Sequence, residues 1–262
     1  MSEEALAEGM VRLKITLQYD GATYYGWQIQ EGFPSVQGSL KAALERIVEH
    51  EVKIVGAGRT DRGVHAWGQV AHVDVRKVLP VIKYIDGMNR FLPHTIRVTD
   101  VAMMDEDFHA RFSAQARHYV YRLWNGRQMR PDLLGHAGHV VSALDFETMQ
   151  QAVALMPLGL HDFSGFRDAE CQSKVTLCRL HYLRLVQEAP ELWRLEISAN
   201  HFLHHMVRNI MGTLVETGMG KRPVTGLIDA LAAGERTAAG MTFPADGLYL
   251  TQVDYADSEG CR

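Results

Sequence analysis

Gly56-Ala57-Gly58-Arg59-Thr60-Asp61-Arg62-Gly63-Val64-His65-Ala66 decides how this chain is read. The stretch follows a short β-like run, Val52 to Val55, and opens G-x-G, as a dinucleotide-binding turn does. The third glycine of such a turn would fall at Asp61. A carboxylate there faces the pyrophosphate instead of letting helix and strand pack closely. The residues that follow, through Gly68, also lack helical periodicity. Both features argue against a nucleotide-binding α/β fold and a nucleotide cofactor. What remains is a glycine-bracketed turn with one carboxylate between two arginines, Arg59 and Arg62. An adjacent cation favours the ionised carboxyl group and lowers its pKa, so Asp61 is expected to be anionic at neutral pH. Arginines suit phosphate oxygens, and glycines let backbone approach closely. The combination points to a carboxylate working beside a polyanion. A loop-capping aspartate is the plain alternative.

Outward from this turn, hydrophobic periodicity predicts alternating strands and helices. Arg12 to Tyr19 alternates as a half-buried strand, and Ser35 caps a helix through about His50 with Val36, Leu40, Leu44, Ile47 and Val48 on one face. Gln69 to Val75 is a strand. Pro80 opens a helix carrying Val81, Ile82, Ile85 and Met88 to near Pro93, and Ile96 to Met103 is a strand. The second half repeats the grammar. Ala116 to Asn125 is a strand with Tyr119, Tyr121 and Leu123 on one face. Leu144 to Met156 is a helix, and Arg179 to Val186 with Leu192 to Ser198 forms a hairpin through Pro190. His204 to Thr217 and Thr225 to Ala233 are helices, and Gly247 to Val253 is the last strand. Two similar halves imply two α/β domains, residues 11–106 and 107–256, with flexible tails at 1–10 and 257–262.

Composition is that of a globular protein of 262 residues, 47% hydrophobic and 22% charged, large enough for one or two cores. No apolar run has the length that crosses a bilayer. The acidic start, Met1 to Glu8, does not resemble a signal peptide. Cys171, Cys178 and Cys261 form no even framework and no C-x-x-C pair, so reduced thiols and a cytoplasmic location are expected. The net charge of −4 argues weakly against a nucleic-acid partner, because phosphate contacts depend on local charge. Locally, Arg111, Arg117, Arg122, Arg127 and Arg130 run without an acidic residue among them, which predicts a basic face.

Several ordered motifs carry a family resemblance: Tyr19-Asp20-Gly21 with Gly26-Trp27-Gln28-Ile29-Gln30, Ser35-Val36-Gln37-Gly38, the Asp61 segment, Asn89-Arg90-Phe91-Leu92-Pro93 and Phe108-His109-Ala110-Arg111-Phe112. They continue with Ala116-Arg117-His118-Tyr119-Val120-Tyr121, Gly159-Leu160-His161-Asp162-Phe163, Phe202-Leu203-His204-His205-Met206-Val207-Arg208 and Gly247-Leu248-Tyr249-Leu250. In that order, over nearly the whole chain, they resemble the TruA family of tRNA pseudouridine synthases. The resemblance implies an α+β fold of two domains whose mostly antiparallel sheets join into one extended sheet. Helices would pack on one face, with an active-site cleft between the domains. It implies a homodimer acting on the anticodon stem-loop of tRNA, at uridines 38, 39 and 40. Asp61 takes the place of the catalytic aspartate, Tyr119 that of the active-site tyrosine, and Arg208 that of the basic residue pairing with the aspartate. Arg59, Arg62, Arg111, Arg117 and Tyr119 are the expected RNA- or substrate-binding residues, together with His161, whose loop with Arg167 and Lys174 either touches RNA or is a plain turn. Two departures stand out: Tyr24 and Tyr25 replace a more usual aromatic-plus-small pair, and His118 stands where an arginine is common.

The implied reaction breaks the N1–C1′ bond of a uridine, turns the base and rejoins it through C5. Nothing is oxidised, so no cofactor and no metal are required. The base must leave its stack to be reached. Asp61 either attacks carbon or removes a sugar proton to give a glycal; both routes stay open. Tyr119 offers a ring for stacking and a phenol that serves as base only if the site alters its pKa; a core tyrosine is the alternative. Arg208 is otherwise a surface helix arginine. His65 is expected to order its turn. His201, His204 and His205 have helical i, i+4 spacing but lack the glutamate of H-E-x-x-H, so a solvated or phosphate-facing cluster is preferred to a metal site. Rival readings are a synthase of other RNA specificity, a non-catalytic RNA-binding platform, and a hydrolytic glycosidase. The last normally needs a second carboxylate, which the Asp61 motif does not offer.

Overall fold

The computed structural model describes residues 9–168 and 175–256. Cys171, Lys174, Cys261, most of the expected N-terminal tail and the tail from 257 lie outside the described residues. Along the chain the elements are β1 (Val11–Tyr19), α1 (Val36–Val48), β2 (Val55–Gly56), β3 (His65–Val75), α2 (Val81–Phe91) and β4 (Ile96–Met104). They continue as β5 (Ala114–Trp124), β6 (Gly138–His139), α3 (Phe146–Ala154), β7 (Gly159–Asp162), β8 (Leu177–Ala189), β9 (Leu192–Ala199), α4 (Met206–Gly218), α5 (Gly226–Ala233) and β10 (Leu248–Tyr255). Two compact units result: Met1–Gln115 with Leu250–Arg262, and Ala116–Tyr249. Both are mixed α/β with mostly antiparallel strands. Among the described residues no helix is long and apolar enough to cross a membrane.

In the first unit the strand order is β4-β1-β3-β10, with β2 pairing β3. Leu13, Ile15 and Leu17 of β1 and Ala71, Val73 and Val75 of β3 are fully buried, as their alternation requires. Helix α1 starts where Ser35 accepts the Gly38 N–H at 3.2 Å, and it buries Val36, Leu40, Ala43, Leu44 and Val48. Two expectations need correcting here. The run Val52 to Val55 is not a strand; only Val55 and Gly56 join the ladder. Side chains of α1 take the neighbouring backbone groups instead: Glu45 accepts the Val52 N–H at 3.0 Å, and Gln37 donates to the Ile54 carbonyl at 2.8 Å. In α2 the buried positions are Tyr84 and Met88, while Ile82 is 56% exposed. Tyr84 can occupy the core because its hydroxyl donates to the Lys77 carbonyl and accepts the Leu79 N–H.

In the second unit the order is β5-β9-β8-β7, with β6 parallel to β5. The β8–β9 hairpin turns through Pro190 and Glu191, the latter at φ 61°. Helix α3 begins at Phe146, later than its apolar pattern suggests, because Asp145 is the residue whose carboxylate accepts an N–H, from Thr148 at 3.0 Å. Helix α4 buries Met206, Val207, Ile210, Met211, Leu214 and Val215, and also Asn209. That amide donates to the Phe166 carbonyl at 2.8 Å, and its oxygen accepts from Thr242 and Arg236. The expected basic run does not form one face. Arg122 pairs with Glu188 at 2.7 Å and Arg130 with Asp132 at 2.6 Å, and Arg117 is buried. The countercharges come from outside the window in which the arginines cluster.

One buried polar group ties the strands of the first unit to the segment after β4. Arg12 grips Asp74, its β3 neighbour, through two N–H···O bonds of 2.7 and 2.8 Å, and donates to the Phe108 carbonyl at 3.0 Å. Beside it, buried His72 accepts the Ala110 N–H on Nδ1 at 3.0 Å. Burial, helped by electrostatic repulsion from His109 and Arg12, pushes the pKa of His72 down to about 4. Its folded pKa lies below its unfolded value near 6.5, so the unfolded chain binds the extra proton between these limits. Stability is then complete above about pH 6.5 and lost as pH falls toward 4. At pH 5 this histidine alone should remove about 2 kcal/mol relative to pH 7. Urea unfolding at the two pH values, for the protein and for His72→Gln, checks this: the variant should lose less stability on acidification.

Candidate active site

Asp61 stands at the tip of a loop that runs from β2 to β3, and the loop is fixed residue by residue. Ala57 donates to the Val70 carbonyl at 2.7 Å, and the Gln69 amide donates to the Gly58 carbonyl at 2.9 Å. Thr60 is buried and held from two sides. Its hydroxyl shares a 2.8 Å hydrogen bond with the Tyr19 hydroxyl, and its carbonyl accepts the Trp27 N–H at 3.0 Å. Gln69, with no exposed surface, also reaches the Tyr19 hydroxyl at 3.4 Å. Burial pushes Tyr19 up to about 12, so it remains a neutral phenol at neutral pH. After Asp61 the chain turns back: Val64 donates to the Asp61 carbonyl at 3.1 Å, and Gly63 adopts φ 80°. His65, also buried, accepts the Gly21 N–H at 3.1 Å, which is the turn-ordering role expected of it.

The loop between β1 and α1 is keyed to the same frame. Gly26 has φ 91°, and a Cβ there would lie 2.5 Å from the Thr60 carbonyl oxygen, so only glycine lets the two loops meet. The Gly63 N–H reaches the Tyr24 carbonyl at 3.4 Å. Around this frame Asp61 is half-buried, whereas Arg59 and Arg62 are exposed. Arg62 lays its guanidinium over the Tyr25 ring at 4.2 Å. The result is a rigid backbone presenting one carboxylate with mobile-length cationic side chains on either side of it in sequence.

The second unit positions its candidates differently. Tyr119 projects from β5 opposite Ile197 of β9; it is 8% exposed and meets Phe202 edge to face at 5.0 Å. Tyr121, two residues on, is the core tyrosine: it is fully buried, donates to the Pro244 carbonyl at 2.7 Å, and is raised by burial. Arg208 lies in the first turn of α4, where Nε donates to the Phe243 carbonyl at 2.7 Å and its own carbonyl accepts the Phe243 N–H at 3.2 Å. Two bonds to one residue fix the arginine's stem. Arg117 donates to the Asn200 carbonyl at 2.6 Å from a buried position. Arg111 is exposed and lies over Phe112 at 5.7 Å. His161 bonds the Leu158 carbonyl at 3.0 Å on half-buried β7.

The three histidines are not a helical set. Helix α4 begins only at Met206, because His205 sits in the left-handed region at φ 60° and ψ 4°. His201 lies 3.4 Å from the sulfur of buried Cys178. His204 and His205 stack at 3.8 Å, with His205 Nδ1 2.7 Å from an Asp168 oxygen. The i, i+4 spacing therefore has no geometric meaning here. Periodicity also passed over the residues that hold the loop, Tyr19, Thr60 and Gln69. Gln69 carries a readable signal, a polar side chain in alternating register with the buried Ala71, Val73 and Val75 of β3.

Comparison with known proteins matches residues 15–113 and 153–256 to the family described as tRNA pseudouridine synthase. A protein of Bradyrhizobium diazoefficiens called tRNA pseudouridine synthase A is 45% identical over 247 residues, 94% of this chain and 100% of that one. Proteins of the same description from Neisseria meningitidis and Myxococcus xanthus are 45% and 42% identical, covering 95% and 97% of this chain and 94% and 95% of theirs. With a loop geometry built around Asp61 and matches along nearly the whole sequence, this chain belongs to the tRNA pseudouridine synthase family.

Proposed function

We propose that this protein isomerises uridine to pseudouridine in the anticodon stem-loop of tRNA, at positions 38, 39 and 40, in the cytoplasm. The observation that carries the reading is the Asp61 loop, whose backbone is locked on both flanks while the carboxylate and two exposed arginines stand at its tip. An ionised carboxylate serves either route, addition to C1′ or removal of a sugar proton. The N1–C1′ bond breaks, a C5–C1′ bond forms, the C5 proton leaves and N1 gains a proton. Atoms balance without a cofactor. Tyr119 is assigned to the extruded base, by ring contact and as acceptor of the C5 proton, and Arg208 to the cationic role the family resemblance implies. Arg59, Arg62 and Arg111 are assigned to phosphate oxygens, which fix register without reading sequence. Three target positions in one arm share no base-edge code, so shape and backbone contacts suit the task.

The test is Asp61→Asn on an anticodon-arm transcript carrying C5-tritiated uridine. Tritium release should fall at least about a hundredfold while fold and RNA affinity persist. Turnover near that of the parent would refute the assignment, and free uracil would indicate a glycosidase. Arms with a single uridine at 38, 39 or 40 test the positional part.

A homodimer is the second element of the proposal. β7 ends the strand order of the second unit, and an open sheet edge is a template for association. Leu158, Leu160, Val175 and Leu177 around it are each more than half exposed, and Leu160 and Leu177 lie on one face of the β7–β8 pair. Leu160→Asp combined with Leu177→Asp should shift sedimentation from dimer to monomer; an unchanged dimer would place the contact elsewhere.

A further inference from the structure

Beside the Asp61 loop the first unit carries an aromatic stack, half-buried at Tyr25 and exposed at Phe33, that the reaction chemistry does not explain. Tyr25 and Phe33 pack with ring centroids 4.2 Å apart and planes inclined by 32°. The Arg62 guanidinium continues the stack at 4.2 Å from the Tyr25 centroid. Phe33 keeps 49% of its surface exposed and the nearby Ile29 47%. A half-exposed phenylalanine gains little for folding, and here two apolar side chains are held out on one tight turn. That turn is well built. Tyr25 N–H bonds the Pro34 carbonyl at 2.9 Å, Phe33 N–H the Gln30 carbonyl at 3.3 Å, and Ile29 N–H the Gln37 side chain at 2.9 Å. Through Gly26 and Trp27 it is fastened to Thr60, the residue before Asp61. The stack therefore holds a fixed position relative to the carboxylate.

We propose that Phe33 and Tyr25 form a stacking ledge for an unpaired nucleobase of the RNA substrate, with Arg62 joining the ledge to the Asp61 loop. The inference rests on the RNA-modifying reading given above and adds a base-tolerant positioning element to it. Chemistry favours a nucleobase as the occupant. The ledge offers π faces and a guanidinium, with Arg59 exposed nearby in sequence, so a planar group on a phosphate chain meets both an aromatic surface and cations. Phenylalanine has no polar edge, so any base can stack there. Such tolerance fits an enzyme that places several positions of one loop at a single carboxylate.

The experiment uses the full-length protein and anticodon-arm RNAs with 2-aminopurine introduced singly around the loop. Wild type should quench the fluorophore at one or more positions on binding. Phe33→Ala and Phe33→Leu should lose that quench and raise KM about tenfold, with kcat changed far less, whereas Phe33→Tyr should behave as the parent. An unchanged quench and KM in Phe33→Ala would overturn the proposal. So would Phe33→Leu matching wild type, since an apolar contact without a π face would then suffice. Sedimentation of Phe33→Ala decides a further outcome: if the variant loses its oligomeric state, the ledge belongs to a second copy and the proposal fails. A wild type that quenches the fluorophore but forms no pseudouridine would sink the reaction assignment and leave the ledge standing.

Discussion

Thr60 is the pivot of the first unit. Its hydroxyl meets Tyr19 at the end of β1, and its carbonyl meets Trp27 in the following loop. Gln69 of β3 braces both Tyr19 and Gly58. All the groups involved are buried or backbone, where a satisfied hydrogen bond is strongly directional and an unsatisfied one costs about 1–3 kcal/mol. The residue after Thr60 has little freedom to choose where its Cα goes. If Asp61 is the reacting carboxylate proposed above, a backbone fixed in this way removes reorganisation from its chemical step, and proximity effects are steep in distance.

The second unit uses the same device with different parts. There the fixed points are side chains on regular elements: Tyr119 in a paired strand, and Arg208 in the first turn of a buried helix. Arg208 is oriented by a segment, around Phe243, that Tyr121 also holds through the Pro244 carbonyl. Asn209, next in sequence, gathers Phe166, Thr242 and Arg236 into one polar hub on the buried side of the helix. Asp61 and Arg208 thus each follow or precede a firmly held neighbour in sequence. That neighbour is Thr60 for Asp61 and Asn209 for Arg208.

Much of the fold was legible because it follows local rules. Alternation gave β1 and the β8–β9 hairpin, and Ser35 gave the start of α1, since each signal lies within a few residues of its effect. Errors arose where a distant group decided the outcome. Val52 and Ile54 lose their ladder to Glu45 and Gln37 of α1. Arg122 finds Glu188 far along the chain, so a charge-free window did not make a basic face. His205 takes a left-handed conformation that no periodicity reports, and the histidine spacing loses its meaning with it. In the proposed site, Asp61 was singled out by its arginine bracket, and Tyr119 and Arg208 by the family motifs alone. The supporting Tyr19–Thr60–Gln69 network was not, because its members are spread over 50 residues.

Under the proposed function, the hydroxyl of Tyr19, by holding Thr60, sets the position from which Asp61 would act. Tyr19→Phe removes that one oxygen and keeps the ring in its buried slot. The most direct measurement is the single-turnover rate of pseudouridine formation by this variant at saturating RNA, with RNA affinity measured in parallel. A fall of about ten- to a hundredfold in rate with affinity unchanged is predicted. A rate equal to that of the parent would contradict the account.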